Sequence, residues 1–108
     1  MADFMQVVTT VDSEDAAEQL ARGITGARLA ACVQIVGPIR SLYWWHGELD
    51  ETREWQLMIK TTSGRLSALE EYLKANHSYE TPEIAAIEIP WGSREYLGWI
   101  SAETRTDV

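Results

Sequence analysis

The sequence is short of several things, and each shortage excludes something. A lone cysteine, Cys32, among 108 residues has no partner for an internal disulfide, the usage of a reducing compartment. Basic residues number 9 against 17 acidic ones, for a formal net charge of -8 with no run of Lys or Arg. A phosphate backbone would be repelled, so nucleic acid is not an expected partner. No window approaches the ~20 apolar residues of a membrane span, and Met1-Ala2-Asp3-Phe4 carries no basic segment followed by an apolar stretch. The expectation is a cytoplasmic protein with no membrane partner. Catalytic signatures are also missing: there is no CxxC, HExxH, phosphate loop, GxGxxG or GxSxG, and the two histidines, His46 and His77, stand far apart. Each missing motif removes an enzyme class, and no catalytic residues are expected.

What is present describes one packed domain over residues 1–108, at the commonest domain size. Hydrophobic residues make up 45% and charged residues 24% of the chain, which sets it apart from disordered sequences. Phe4 to Val11 is rich in β-branched residues and runs into Asp12-Ser13, a strand followed by a helix cap. Glu14 and Asp15 suit the positive end of that helix, Ala17, Leu20, Ala21 and Ile24 recur at helical spacing, and Gly26 is placed to end it. Two extended stretches, 31–46 and 51–62, flank the polar segment 46–50 and predict a long β-hairpin, with a bulge or bend at Gly37-Pro38. Leu66, Leu69, Tyr72 and Leu73 predict a second helix ending near Asn76-His77. Residues 84–89 read as a short strand stopped by Pro90, and 95–102 as a last helix. The order β, α, β, β, α, β plus a tail helix predicts an α+β, ferredoxin-like fold.

Alternation in the second hairpin arm puts Trp55, Leu57 and Ile59 on an apolar face and Glu54, Gln56, Met58 and Lys60 on a mixed one. Helices cover the first in a ferredoxin-like sheet, leaving the second, with Gln34 and Glu88, open in a single chain. Glu54 and Lys60 share that open face and are expected buried and paired at a subunit boundary. The outer hairpin crowds Tyr43, Trp44, Trp45 and Trp55 onto both faces, more than two helices can cover, so the ribbon is expected to pack on another chain. Cys32, in a run of Ala and Val, reads as a small core hydrophobe rather than a nucleophile. The densest polar cluster is Asn76-His77-Ser78-Tyr79-Glu80-Thr81-Pro82-Glu83. Its residue types serve equally as metal ligands, as acid–base groups, or as a helix cap, a Pro-fixed turn and solvated carboxylates.

Several ordered motifs resemble the divalent-cation tolerance family, CutA, over nearly the whole chain. They are Leu29-Ala30-Ala31-Cys32-Val33, Ser41-Leu42-Tyr43-Trp44-Trp45-His46-Gly47 leading to Glu54 and Lys60-Thr61-Thr62, His77-Ser78-Tyr79-Glu80-Thr81-Pro82-Glu83-Ile84, and Tyr96-Leu97-Gly98-Trp99-Ile100. The resemblance implies a homotrimer whose hairpin reaches across to its neighbours, tolerance or binding of divalent metals such as copper, and no enzymatic activity. It also implies a likeness to PII-type signalling trimers, and so a second reading as a sensing module whose ligand sits in an inter-subunit cleft where Tyr43, Trp45, Glu54, Lys60 and Tyr79 converge. The metal positions it implies, a thiol ending the first strand and two histidines ending the second helix, fall here on Thr9, Asn76 and His77. Ser78 stands where the family usually has proline. With one imidazole in place and no thiolate, weak binding is expected, with His77, Glu80 and Glu83 as the candidate metal contacts.

Overall fold

A computed structural model describes residues 3–106; the ends of the expected domain, Met1, Ala2, Asp107 and Val108, lie outside the described residues. The chain runs β1 (Phe4–Val11), α1 (Glu14–Gly26), β2 (Cys32–Trp45), β3 (Glu48–Thr62), a single 3-10 turn (Ser63–Arg65), α2 (Leu66–Asn76), β4 (Ala85–Glu88) and α3 (Arg94–Glu103). Every strand pairing is antiparallel and the sheet order is β2-β3-β1-β4, the ferredoxin-like arrangement of a split βαβ.

Local chemistry explains the boundaries. Ser13 Oγ accepts from the Ala16 backbone N–H at 3.1 Å at the start of α1, and Ser93 Oγ does the same for Tyr96 at the start of α3, each satisfying a donor that the first helical turn leaves without a partner. The hairpin turn is tighter than the expected 46–50. His46 and Gly47 alone form it, with φ of 51° and 80°, and Trp45 pairs directly with Glu48. Two consecutive residues in the left-handed region make a type I′ turn, whose twist matches that of the strands it joins. The bulge falls where Gly37-Pro38 predicts it, between Val36 and Ile39. A side chain at Gly37 would run into the Trp55 indole, about 2.7 Å from Cγ, so the close approach of ring to backbone requires glycine.

The core lies between the sheet and helices α1 and α2. Val7, Val11, Leu57 and Ile59 rise from the strands to meet Ala17, Leu20, Ile24, Leu69 and Leu73. Burying a side chain such as Leu57 or Ile59 contributes about 1.5–3 kcal/mol. α3 lies against β3 and buries Ile100 outside this cluster. No helix among the described residues is long and apolar enough to cross a membrane.

Register corrects two expectations. Cys32 pairs directly with Lys60, so it lies on the mixed face, half-buried, while Val33 opposite Ile59 turns into the core. Glu88 pairs with Met5, in phase with Val7, which places it on the helix side of the sheet, and Ile87 takes the other face. Both follow from the two-residue period of a strand, in which a shift of one position exchanges the faces.

Candidate functional site

Beyond the bulge the hairpin leaves the helices behind, and the molecule stretches to 44 × 25 × 22 Å. Its two faces differ there. Leu42, Trp44 and Leu49 point one way and are 61%, 72% and 60% exposed. Ser41, Tyr43 and Trp45 point the other way, the way of Glu54, and the loop after α2 comes up to meet them. Between hairpin and loop lies a cavity of about 570 Å³, lined by Thr10, Ser41, Leu42, Tyr43, Trp45, Glu54, Ser78, Tyr79, Glu80, Thr81 and Glu83.

His77 fixes that loop. It ends α2 in extended conformation, its Nδ1 accepts from the Tyr79 backbone N–H at 3.1 Å, and its Nε2 lies 2.9 Å from the Thr10 carbonyl oxygen and 3.2 Å from Thr9 Oγ1. An Nδ1 that accepts and an Nε2 that faces a carbonyl define the neutral Nε2–H tautomer. Both ring nitrogens are thus occupied by the protein's own backbone. The turn this produces delivers Tyr79, whose hydroxyl donates to Glu54 Oε2 at 2.8 Å. Glu54 is 6% exposed. Burial, then the hydrogen bond to Glu54 and that carboxylate's charge, hold the Tyr79 hydroxyl well above the ordinary tyrosine value. Tyr79 therefore keeps its proton and serves as a donor.

Tyr43, Trp45, Glu54 and Tyr79 are brought together as cavity lining. Lys60 is not. It lies six positions along β3 from Glu54, roughly 20 Å at the rise of a strand, and its Nζ donates to Gln34 Oε1 at 2.7 Å. The expected Glu54–Lys60 pair does not form within the chain; each has its own partner. Of the candidate metal contacts, Glu80 and Glu83 line the cavity and are exposed, while His77 faces β1. No group of three or more His, Cys, Asp or Glu side chains among the described residues is placed to hold a metal ion. Thr9 and His77 do touch, whereas Asn76 Nδ2 turns back to the Tyr72 carbonyl oxygen at 2.9 Å. Thr10 was not singled out by sequence, while Ser41 and Ser78 stood there only as members of longer motifs and not as site residues. Ser41 shares the two-residue phase of Tyr43 and Trp45, a signal that would have found it; Thr10 and Ser78 give no such signal.

A family model described as CutA1 divalent ion tolerance protein matches residues 5–103. The chain is 45% identical over 98 residues to a divalent-cation tolerance protein CutA of Thermus thermophilus, covering 91% of this chain and 95% of that one. It is 44% identical over 99 residues to a chloroplastic CutA 1 protein of Oryza sativa, covering 92% of this chain but 56% of the rice protein's length. A crystal structure of CutA1 from Oryza sativa superposes with a TM-score of 0.94 at 42% identity, covering 98% of this chain and 97% of that one.

Proposed function

Because the chain belongs to the CutA1 divalent ion tolerance family, whose name gives it a role in divalent-cation tolerance, we propose that it fills that role as a cytoplasmic homotrimer without enzymatic activity. It binds divalent cations such as copper weakly. The observation that carries this reading is the site's acid-only lining: Glu54, Glu80 and Glu83 with no Lys, Arg or His, on a chain of net charge -8. Such a lining attracts cations. Binding is weak because tight Cu(II) or Zn(II) sites need several convergent donors, and His77 would have to give up a backbone hydrogen bond at whichever nitrogen ligates. The trimer is supported by the strip of Leu42, Trp44 and Leu49, an exposed apolar patch of the kind that marks an interface.

Isothermal titration with Cu(II) tests this. The expected Kd is micromolar or poorer, weakened by His77→Ala, and the double substitution Thr9→Cys, Asn76→His should tighten it by about tenfold or more, since it restores soft and imidazole donors beside His77. A nanomolar Kd in the unsubstituted protein would overturn the reading.

A second reading, a sensing module that holds a small molecule in a cleft between subunits, is favoured by the cavity itself. Its volume of about 570 Å³ falls within the ~300–1,000 Å³ of small-molecule sites, and it sets three aromatic side chains among convergent polar groups, the two elements from which such sites are built.

A further inference from the structure

Glu54 is the most informative group in the cavity. The residue is only 6% exposed, yet among the described residues no Lys, Arg or His forms an ion pair with it. Oε2 accepts from Tyr79, and Oε1 has no donor among the described residues and is not sealed from the cavity. A buried carboxylate without a cation loses its hydration and gets little back, an expensive arrangement unless something positive binds there. Glu80 and Glu83 at the exposed rim add charge of the same sign. An anion would find no positive side chain in this lining, and a neutral donor could hydrogen-bond Oε1 but would leave its charge unbalanced.

Tyr43, Trp45 and Tyr79 decide between a metal ion and an organic cation. They give an otherwise polar cavity an aromatic wall, and there is no three-ligand cluster among the described residues. Aromatic faces attract an ammonium group through the ring quadrupole and pack the carbon body attached to it. We infer that the cavity between the hairpin and the 77–84 loop is a site for an organic ammonium ion, with the cationic head on Glu54 Oε1 and the body against Tyr43 and Trp45. This rests on the small-molecule reading of the cavity and names the ligand's chemistry.

The test is calorimetry on the intact, assembled protein with three matched probes: phenethylamine (an ammonium ion at neutral pH), 2-phenylethanol and phenylacetate. Phenethylammonium should bind one per chain, at least about tenfold tighter than the alcohol, because its positive charge adds an attraction to the Glu54 carboxylate that the alcohol's hydrogen bond lacks; phenylacetate should not bind. Glu54→Gln should remove that preference, and Glu71→Gln, an exposed carboxylate on α2 away from the cavity, should leave it intact. The comparison of probes on the unsubstituted protein stands even if E54Q fails to fold. Equal binding of amine and alcohol, or preference for the acid, overturns the ammonium assignment while the small-molecule reading survives. No binding by any probe overturns both, as it would if a basic side chain of a neighbouring copy already fills the site.

Discussion

The two halves of the β2–β3 hairpin are built from the same kinds of residue and meet different fates. In the inner half, Val33, Leu57 and Ile59 lie beneath α1 and α2, with Leu57 and Ile59 at 0% exposure. In the outer half, Leu42, Trp44 and Leu49 alternate just as regularly, and nothing among the described residues covers them. Alternation assigns residues to a face; it does not say whether that face is covered by the same chain, by another copy or by a ligand. The inner half carries the stability of the subunit, and under the proposed function the outer half is where it meets other molecules.

The comparison breaks most directly at Leu57. Leu57→Ala leaves a cavity in the fully buried part of the sheet and should lower unfolding free energy by about 2–5 kcal/mol, read from chemical denaturation at fixed protein concentration. A loss below about 1 kcal/mol, the range of a surface change, would mean that the inner half is not the core. Trp44→Ala is the counterpart in the outer half. It should barely alter the fold of one chain but weaken self-association by about 2 kcal/mol per site, the cost of losing a buried aromatic anchor. Light scattering behind size exclusion should show a trimer that dissociates more readily on dilution; a parent that runs as a monomer would refute the interface.

Most of the fold was legible because the signals were local: β-branched runs, the Ser13 cap, helical periodicity and the Gly37-Pro38 interruption. The hairpin turn is shorter than the sequence suggests because His-Gly is not among the pairs that usually mark a two-residue turn, so Glu48 looks like loop. The apolar run around Cys32 carries no alternation, and its phase appeared only when Lys60 was set opposite. At the site, Tyr43, Trp45, Glu54 and Tyr79 were each legible as residue types, and the fold supplied their meeting. What sequence does not carry is the commitment of His77. Its partners are the Tyr79 N–H and the Thr10 carbonyl, backbone groups that every residue possesses, so no pattern of side chains announces that this imidazole is already in use.

Lys60 sharpens the boundary between the halves with a smaller effect. As half of a buried ion pair its loss would cost about 3–5 kcal/mol, whereas an exposed pair is worth about 0–1. In this chain it is half-buried and held by Gln34, a neutral partner. Lys60→Met should therefore cost no more than about 1 kcal/mol in a denaturant melt. A loss several times larger would show that Lys60 meets a carboxylate of another copy in the assembly.

The smallest expected effect is one of pH, and it places the alkaline limit partly in the outer half. Tyr79 holds its proton above the ordinary tyrosine value because it is buried and donates to Glu54. Below about pH 10 the tyrosine is protonated in both folded and unfolded chains, and it adds no pH dependence. Above that, the unfolded chain releases the proton while the folded chain keeps it, so the unfolded state binds fewer protons and stability falls as pH rises. Tyr79→Phe removes this loss: the melting temperature of the variant should decline less steeply than that of the parent between about pH 9.5 and 11. Tyr96, raised by burial and by nearby Cys32, acts in the same direction, so some slope should remain until Tyr96→Phe is added. Lysine deprotonation in this range is common to parent and variants and cancels in the difference. Parallel curves for parent and Tyr79→Phe would mean that the hydroxyl does not reach Glu54 in solution, and the outer hairpin and the 77–84 loop would then not be joined as this contact joins them.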